Sequence, residues 1–468
     1  MTAPRVVVVG GGISGLACAF TLLDDARRRG HALDLTVLDA GARPGGHAQT
    51  VLADGFVVES GPNGFLNREP HTLALVDALG LTPRLVEARP EAKRRFIVRG
   101  GRLCQVPEGP LSLFTSPALS WRGKLRLAAE PWAPGPPDGA DETVHAFATR
   151  RIGAEAAEML VDAAVSGISA GDSRRLSVQA QFPMMTDMER AHGSLVRAMF
   201  ARKKDPSGPS RLLSLDTGMG ALTGALADAL GDRVKSGVTV QSAAPHGGAW
   251  RVTAAGGAEF LADHVVLAVP ARVAAPMVAA ADTRLAMHLA DIEYAGLAVV
   301  ALAYRVLDIP RPLDGYGYLI TRPECLATLG VVWESSLFPR RAPEGWALLR
   351  VMIGGARRPD VLRMADADLL ALARQELQRV LGVTAAPAAS WVFSWPEAIA
   401  QYTVGHRQRR QAIADRAAAH DGLTLCGTAY DGVSFNHAVK SARLSARAVA
   451  ERVWRSAPVE ASLAGVDG

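Results

Sequence analysis

Gly10, Gly12 and Gly15 stand directly after Val6-Val7-Val8-Val9, and they are followed by a carboxylate at Asp39 and a second glycine turn at Arg43-Pro44-Gly45-Gly46. Each part has a chemical use. The first glycine permits a tight turn, the second lets backbone approach a pyrophosphate, and the third lets a helix pack closely on a strand. Ile13 and Ser14 then open a helix whose unpaired N–H groups and dipole favour an anion. Asp39 lies 24 residues after Gly15, where an acid accepts bonds from a ribose diol and disfavours a 2′-phosphate. The pattern reads as a dinucleotide site, for NAD or FAD. The alternative is a tight strand-turn-helix unit with no ligand.

These residues need a particular scaffold. Four β-branched residues in a row suit a strand buried on both faces of a parallel sheet. Leu35-Thr36-Val37-Leu38 supplies a second such strand, and residues 264–269, closed by Pro270, a third. Strands are also expected over 233–240 and 250–253. Near the C-terminus, Gly422-Leu423-Thr424-Leu425-Cys426-Gly427 reads as a strand ending on glycine, then a loop and a helix over 436–455. The chain thus begins a nucleotide-binding unit, leaves it, and returns twice. The expected fold is α/β, with a discontinuous Rossmann-like domain over 1–75, 210–275 and 420–455. A mixed-sheet substrate domain is expected over 76–109 and 276–419, with strands at 299–305, 317–320, 329–334 and 347–353. Residues 110–209 form a helical lobe with amphipathic segments at 144–151 and 154–164 and a Pro-rich linker at 131–137. The small, polar tail 456–468 is expected to be flexible.

Composition narrows the function. At 468 residues the chain holds two or three such units. Its 51 basic residues against 46 acidic give a net charge of +5, and they are scattered, which argues against nucleic acid. The balance suits an acidic substrate or an anionic membrane surface. Cys18, Cys104, Cys325 and Cys426 lie far apart without metal-ligand spacing, so no metal site is expected and the thiols read as reduced and mostly buried. Residues 6–23 are uncharged, but the glycines among them favour the strand-turn-helix reading over a membrane span. A cytoplasmic location follows, with peripheral attachment to the inner membrane left open.

Further blocks extend the pattern: Glu59-Ser60-Gly61-Pro62-Asn63, Lys93-Arg94-Arg95-Phe96, Gly167-Ile168-Ser169-Ala170-Gly171-Asp172, Gly354-Gly355-Ala356-Arg357, Trp395, Gln401-Tyr402, and residues 427–436. With them the chain resembles the flavin-dependent protoporphyrinogen oxidases, within the wider monoamine oxidase and phytoene desaturase group, over nearly its whole length. The resemblance implies non-covalent FAD, a tetrapyrrole substrate and oxygen as acceptor, with hydride leaving a meso carbon for flavin N5. It leaves a homodimer open. It assigns Gly10, Gly12, Ile13, Ser14, Gly15, Asp39, Arg43, Gly45 and Gly46 to the cofactor. It adds Gly61, Pro62, Asn63, Val240, Trp395, Gly427, Tyr430, Gly432, Val433 and Ser434, with Val240 at the adenine and Glu59 organising the glycine turn. Substrate contacts are expected from Arg95, which would grip a propionate, from Gly167 and Ser169, and from Leu319, Val332 and Met352, which would sandwich the macrocycle. No acid-base dyad is expected, because the cofactor carries the hard step.

Several positions depart from the family pattern: Ser169, Ala400, His437-Ala438, and Glu334, which alternation places on the face of Val332. These departures leave coproporphyrinogen as an alternative substrate, and a recruited amine or secondary-metabolite oxidase or desaturase as an alternative activity. A catalytically silent binding protein of the same fold is the reading from another class.

Overall fold

The computed structural model describes residues 3–107, 109–135, 141–201 and 210–455. The Pro-rich linker is described as far as residue 135, and the tail 456–468 lies outside the described residues.

The strand Arg5–Val9 is central to a five-stranded sheet, flanked by Asp34–Asp39 and His264–Leu267, with Val234–Ser236 and Leu423–Leu425 at the edges. Every pairing in it is parallel. Val6 and Val8 pack towards the helices Ile13–Arg29, Gly220–Leu230 and Phe435–Arg455, while Val7 and Val9 pack towards Ala271–Val278 and the Ala249–Ala254 strand. Both faces are covered, which is why the sequence shows a continuous apolar run rather than alternation. Burying each valine contributes roughly 1.5–3 kcal/mol. The segment 233–240, expected as one strand, is two. Gly237, at φ +74°, turns the chain between Val234–Ser236 and Val240–His246, which opens a separate antiparallel sheet with Ala249–Ala254 and Glu259–Ala262.

A second sheet runs in the order Ala389–Ala400, Tyr294–Arg305, Trp346–Gly354, Thr328–Trp333, Gly317–Ile320, Arg95–Arg99, Arg102–Gln105. It is antiparallel except where Gly317–Ile320 meets Arg95–Arg99. One face, with Val98, Tyr318, Val331, Trp333, Val351 and Ile353, forms a core with the helix Asp366–Leu381. By alternation the other face carries Arg95, Leu319, Val332, Arg350 and Met352. The strand expected over 329–334 ends at Trp333, and Glu334 opens the helical turn Glu334–Leu337, so strand alternation does not reach it.

In the lobe, Thr143 caps the helix Val144–Ile152 by accepting from Ala146 N. The helix expected over 154–164 is instead Ala154–Ala156, a wider π turn over Ala157–Val161, and a separate helix Asp162–Ser169. Buried Arg151 anchors the lobe by pairing with Glu130 and Glu189. Among the described residues no helix is long and apolar enough to cross a membrane.

Burial also sets a pH dependence. Desolvation pushes both His264 and His406 down to about 4, whereas an unfolded histidine titrates near 6.5. Between those values the unfolded chain binds more protons than the folded one, so stability falls as pH falls. The slope reaches about 1.4 kcal/mol per pH unit per histidine. His406 stacks on Tyr402 at a ring separation of 3.9 Å, a packing that phenylalanine reproduces. His406→Phe is expected to cost less than about 1.5 kcal/mol near neutrality and to flatten the decline between pH ~6.5 and ~4, measured by urea unfolding. A decline as steep as in the parent chain would contradict a neutral buried His406.

Candidate functional site

The first glycine turn leaves the carboxyl end of the central strand, the position at which open α/β sheets bind ligands. A Cβ on Gly15 would lie 1.8 Å from Gly10 O, and one on Gly10 would lie 2.7 Å from Ala268 O. Neither position admits a side chain. Gly12 differs, because a Cβ there meets nothing nearer than Gly46 Cα at 3.9 Å. The helix Ile13–Arg29 begins beside this open space without a side-chain cap, which leaves its first amides for an anion. The second glycine turn closes the other side. Gly45 N donates to Gly11 O at 2.8 Å, and a Cβ on Gly46 would stand 3.1 Å from Gly12 Cα. Gly427 completes the cradle, since a Cβ there finds only Ser14 Oγ, at 3.9 Å. Bare backbone around an uncapped helix end fits a dinucleotide pyrophosphate.

Asp39 ends its strand beside this turn and accepts from Gly11 N at 2.5 Å and Gly41 N at 2.9 Å. Its carboxylate therefore fixes the glycine turn. Val238 N donates to Asp39 O at 2.8 Å, which brings buried Val240 to the same sheet end. Arg43 is exposed at the rim. Glu59, expected to organise the glycine turn from behind it, has its partners in the segments that flank that turn. It accepts from Thr50 Oγ1 at 2.6 Å and Met219 N at 2.9 Å and faces Arg341 Nη1 at 2.9 Å, tying the strand Thr50–Ala53 to the start of the helix Gly220–Leu230. Burial pushes its carboxyl above the usual range, against the pull of Arg341.

The closing block is held from behind by Tyr402, whose hydroxyl donates to Thr428 O and accepts from Gly432 N, both at 2.7 Å. Tyr430 is buried, and its hydroxyl has no hydrogen-bond partner among the described residues. Val433 is half-buried, and Ser434 accepts from His437 N at 3.2 Å, so it caps the helix Phe435–Arg455. The His437 ring lies against Gly432, where a Cβ would stand 2.3 Å from Nδ1. Trp395 Nε1 donates to Ser60 O at 2.7 Å, joining the second sheet to the 61–63 loop.

The second sheet supplies a broad face. In one cross-strand row Arg95 pairs with Gly317, Gly317 with Val332, and Val332 with Arg350. In the next row Ile97 pairs with Leu319, Leu319 with Gly330, and Gly330 with Met352. Gly317 and Gly330 add no side chains to these rows, and the Leu319 side chain lies over Gly330, where a Cβ would stand 2.8 Å from Leu319 Cδ2. A Cβ on Gly317, at φ +137°, would lie 2.0 Å from Val331 O. Val332 is buried against Ala92, Leu337 and Phe338, Leu319 and Met352 are half-buried, and Arg95 is exposed at one end of the face. Gly167 is exposed and stands over this face, its Cβ position 2.6 Å from Leu319 Cδ2.

Ser169 is corrected by the structure. Expected to touch substrate, it is fully buried, its hydroxyl donates to Val165 O at 3.0 Å, and its carbonyl accepts from Gln401 Nε2 at 2.9 Å. Three residues that the motifs did not single out complete the site. Arg95 stacks its guanidinium over Tyr316 at 5.5 Å. Burial pushes the Tyr316 phenol up. Arg350 Nε stands 2.9 Å from Glu334 Oε1 without its N–H aligned on that oxygen, and Arg350 also donates to Gly61 O. The third is Glu334, noted in the sequence only as a carboxylate that alternation would place on the face of Val332. It is paired, and also accepts from Asn63 Nδ2 at 3.1 Å. Only the strand register showed Arg350 opposite Val332, and no sequence signal gave that register.

Residues 13–450 match the family of flavin containing amine oxidoreductases. The chain is 33% identical over 482 residues to protoporphyrinogen oxidase of Bos taurus, covering 95% of this chain and 98% of that one. It is 30% identical over 448 residues to coproporphyrinogen III oxidase of Bacillus subtilis (strain 168), covering 92% and 94%. Its fold superposes with a TM-score of 0.84, at 26% identity, on the crystal structure of a candidate protoporphyrinogen oxidase from Exiguobacterium sp. 255-15, covering 96% and 99%.

The cradle makes a separable prediction. Gly12 has ordinary backbone angles, φ −74° and ψ 178°, and room for a Cβ within the protein. Gly12→Ala is therefore expected to fold with an unchanged apoprotein melting temperature while weakening FAD binding by more than about tenfold, about 1.4 kcal/mol. Titration of the apoprotein with FAD checks it, and an unaltered affinity would place the pyrophosphate elsewhere.

Proposed function

The chain belongs to the flavin containing amine oxidoreductases and is an FAD-dependent oxidoreductase, and from that premise we propose that it oxidises a porphyrinogen, protoporphyrinogen IX, to the porphyrin with oxygen as acceptor. The observation that carries this reading is the glycine-floored face of the second sheet. Gly317 and Gly330 add no side chain to it, and the half-buried Leu319 and Met352, with Val332 beside them, offer a flat ring apolar contact. Arg95, which makes no ion pair among the described residues, stands at the edge where a propionate would reach. An exposed guanidinium at that edge would repel a protonated amine, which argues against an amine substrate.

When bound, the flavin supplies the two-electron acceptor. The protein's own residues bind and orient. Gly167 lies against Leu319, so the helix Asp162–Ser169 borders the second sheet where the ring would enter. Tyr316 fixes the Arg95 guanidinium by stacking. Coproporphyrinogen III is the second reading, favoured by the similarity to the Bacillus subtilis enzyme of that name. It carries more carboxylates than one arginine anchors, and Arg94 is already paired with Asp314 at 2.6 Å.

We also propose that FAD is held without a covalent bond. The strand Ala389–Ala400 carries no cysteine, and Cys426 is fully buried between Ser14 O and Ser441 Oγ. Acid precipitation is expected to leave all the flavin in the supernatant, whereas flavin in the protein pellet would contradict this.

The activity is tested by mixing the flavin-loaded protein aerobically with protoporphyrinogen IX or coproporphyrinogen III and following porphyrin fluorescence. Faster growth than in the enzyme-free control is expected, most with protoporphyrinogen. No acceleration with either would overturn the reading. Arg95→Ala is expected to raise KM about tenfold or more, the loss of a charge-assisted hydrogen bond, with flavin content unchanged. An unaltered KM would remove Arg95 as the anchor.

A further inference from the structure

The 60–63 loop is held by three side chains that arrive from the second sheet and the turn beside it. Trp395 Nε1 donates to Ser60 O at 2.7 Å, Arg350 donates to Gly61 O, and Glu334 accepts from Asn63 Nδ2 at 3.1 Å. Arg350 and Glu334 are themselves an ion pair, 2.9 Å apart, with side chains 5% and 1% exposed. A buried ion pair recovers its desolvation cost only in part, and an apolar pair of the same volume is often as stable. Stability therefore does not account for this one, and its contacts do. The carbonyls of Ser60 and Gly61 are both drawn to donors of the second sheet. In a trans peptide the N–H points opposite to the preceding carbonyl, so the Gly61 N–H is turned away from Trp395. On the other side of Gly61 lies the second glycine turn, where a Cβ would stand 2.3 Å from His47 O.

We propose that the Glu334–Arg350 pair positions the 61–63 loop against the flavin and, because its charges balance, sets the reduction potential of the bound flavin. Glu334 and Arg350 are positioning residues, acting through Gly61 and Asn63. The proposal rests on reading Gly61, Pro62 and Asn63 as cofactor contacts and assumes nothing about the substrate. Reduction adds negative charge to the flavin, so an uncompensated arginine beside the loop favours the reduced form and an uncompensated carboxylate disfavours it.

Two variants of nearly unchanged volume separate charge from structure. In the flavin-loaded protein Glu334→Gln is expected to shift the reduced-to-oxidised equilibrium about tenfold towards reduced flavin, about +30 mV for a two-electron couple. Arg350→Met is expected to shift it about as far the other way and, by freeing Gly61 O, to weaken FAD binding about tenfold. Arg350→Lys, which keeps the charge and loses the guanidinium fork, is expected to weaken FAD binding with the potential unmoved. Potentials are read by dye-coupled reduction and affinities by titration of apoprotein with FAD. A merely structural pair would weaken affinity in both charge-removing variants without moving the potentials in opposite directions, and that result would overturn the proposal. Hydrogen exchange of the peptide covering residues 60–64 tests the loop separately. Protection on adding FAD is expected. Its absence would remove the loop reading and the proposal together, whereas protection with unmoved potentials would overturn the proposal alone.

Discussion

No side chain can stand on the α-carbon of Gly15, because the carbonyl oxygen of Gly10 lies 1.8 Å from where its Cβ would be. That contact sets the position of the helix Ile13–Arg29 against the central strand and places its uncapped end at the carboxyl edge of the parallel sheet. The rest of the cofactor region is arranged around it. Gly45 bonds back to Gly11, Asp39 holds Gly11 from the neighbouring strand, and Gly427 returns from the far end of the chain to leave the same space open. Where backbone approaches backbone this closely, the space left over is bounded by N–H groups rather than side chains. Such a space suits a phosphate.

The second sheet meets the cofactor region through hydrogen bonds as well as shared apolar packing, Ala400 joining the core around Val7 and Val9 and the strand Phe56–Glu59 packing on Ala301, Ala303 and Leu348. Trp395 and Arg350 reach from the sheet, and Glu334 from the turn beside it, to Ser60, Gly61 and Asn63. The sheet's face opposite the helix Asp366–Leu381 also carries glycines, with Gly317 in the row of Arg95 and Gly330 in the row of Met352. Glycine thus recurs on both surfaces. Charge is arranged to match. Arg95 remains open to a ligand, while Arg350, on the same row, is neutralised by Glu334.

What the sequence revealed follows from how local each signal is. The run Val6-Val7-Val8-Val9 announced a strand buried on both faces, and the glycine spacing announced the cradle, because both depend on neighbours within a few residues. The short strands of the second sheet were legible from composition, with ends displaced by a residue or more, as at Glu334, where a helical turn replaces the strand end. The edge strand Ala389–Ala400 was missed because most of its residues are half-buried or exposed and show no clear alternation. The pairing of Glu334 with Asn63 spans 271 residues and depends on the register of two sheets, which no local pattern carries. Ser169 was placed at the substrate by motif position, whereas helix packing turns its hydroxyl back onto Val165 O.

The central claim is that these two surfaces face one flavin and one tetrapyrrole. Mixing the flavin-loaded protein with protoporphyrinogen IX in the absence of oxygen, while following the visible flavin band, tests it most directly, because the first electron transfer is seen without any later step. The account predicts that the band bleaches on mixing with the porphyrinogen and is unchanged on mixing with a primary amine. Bleaching by the amine, with none by the porphyrinogen, would contradict it.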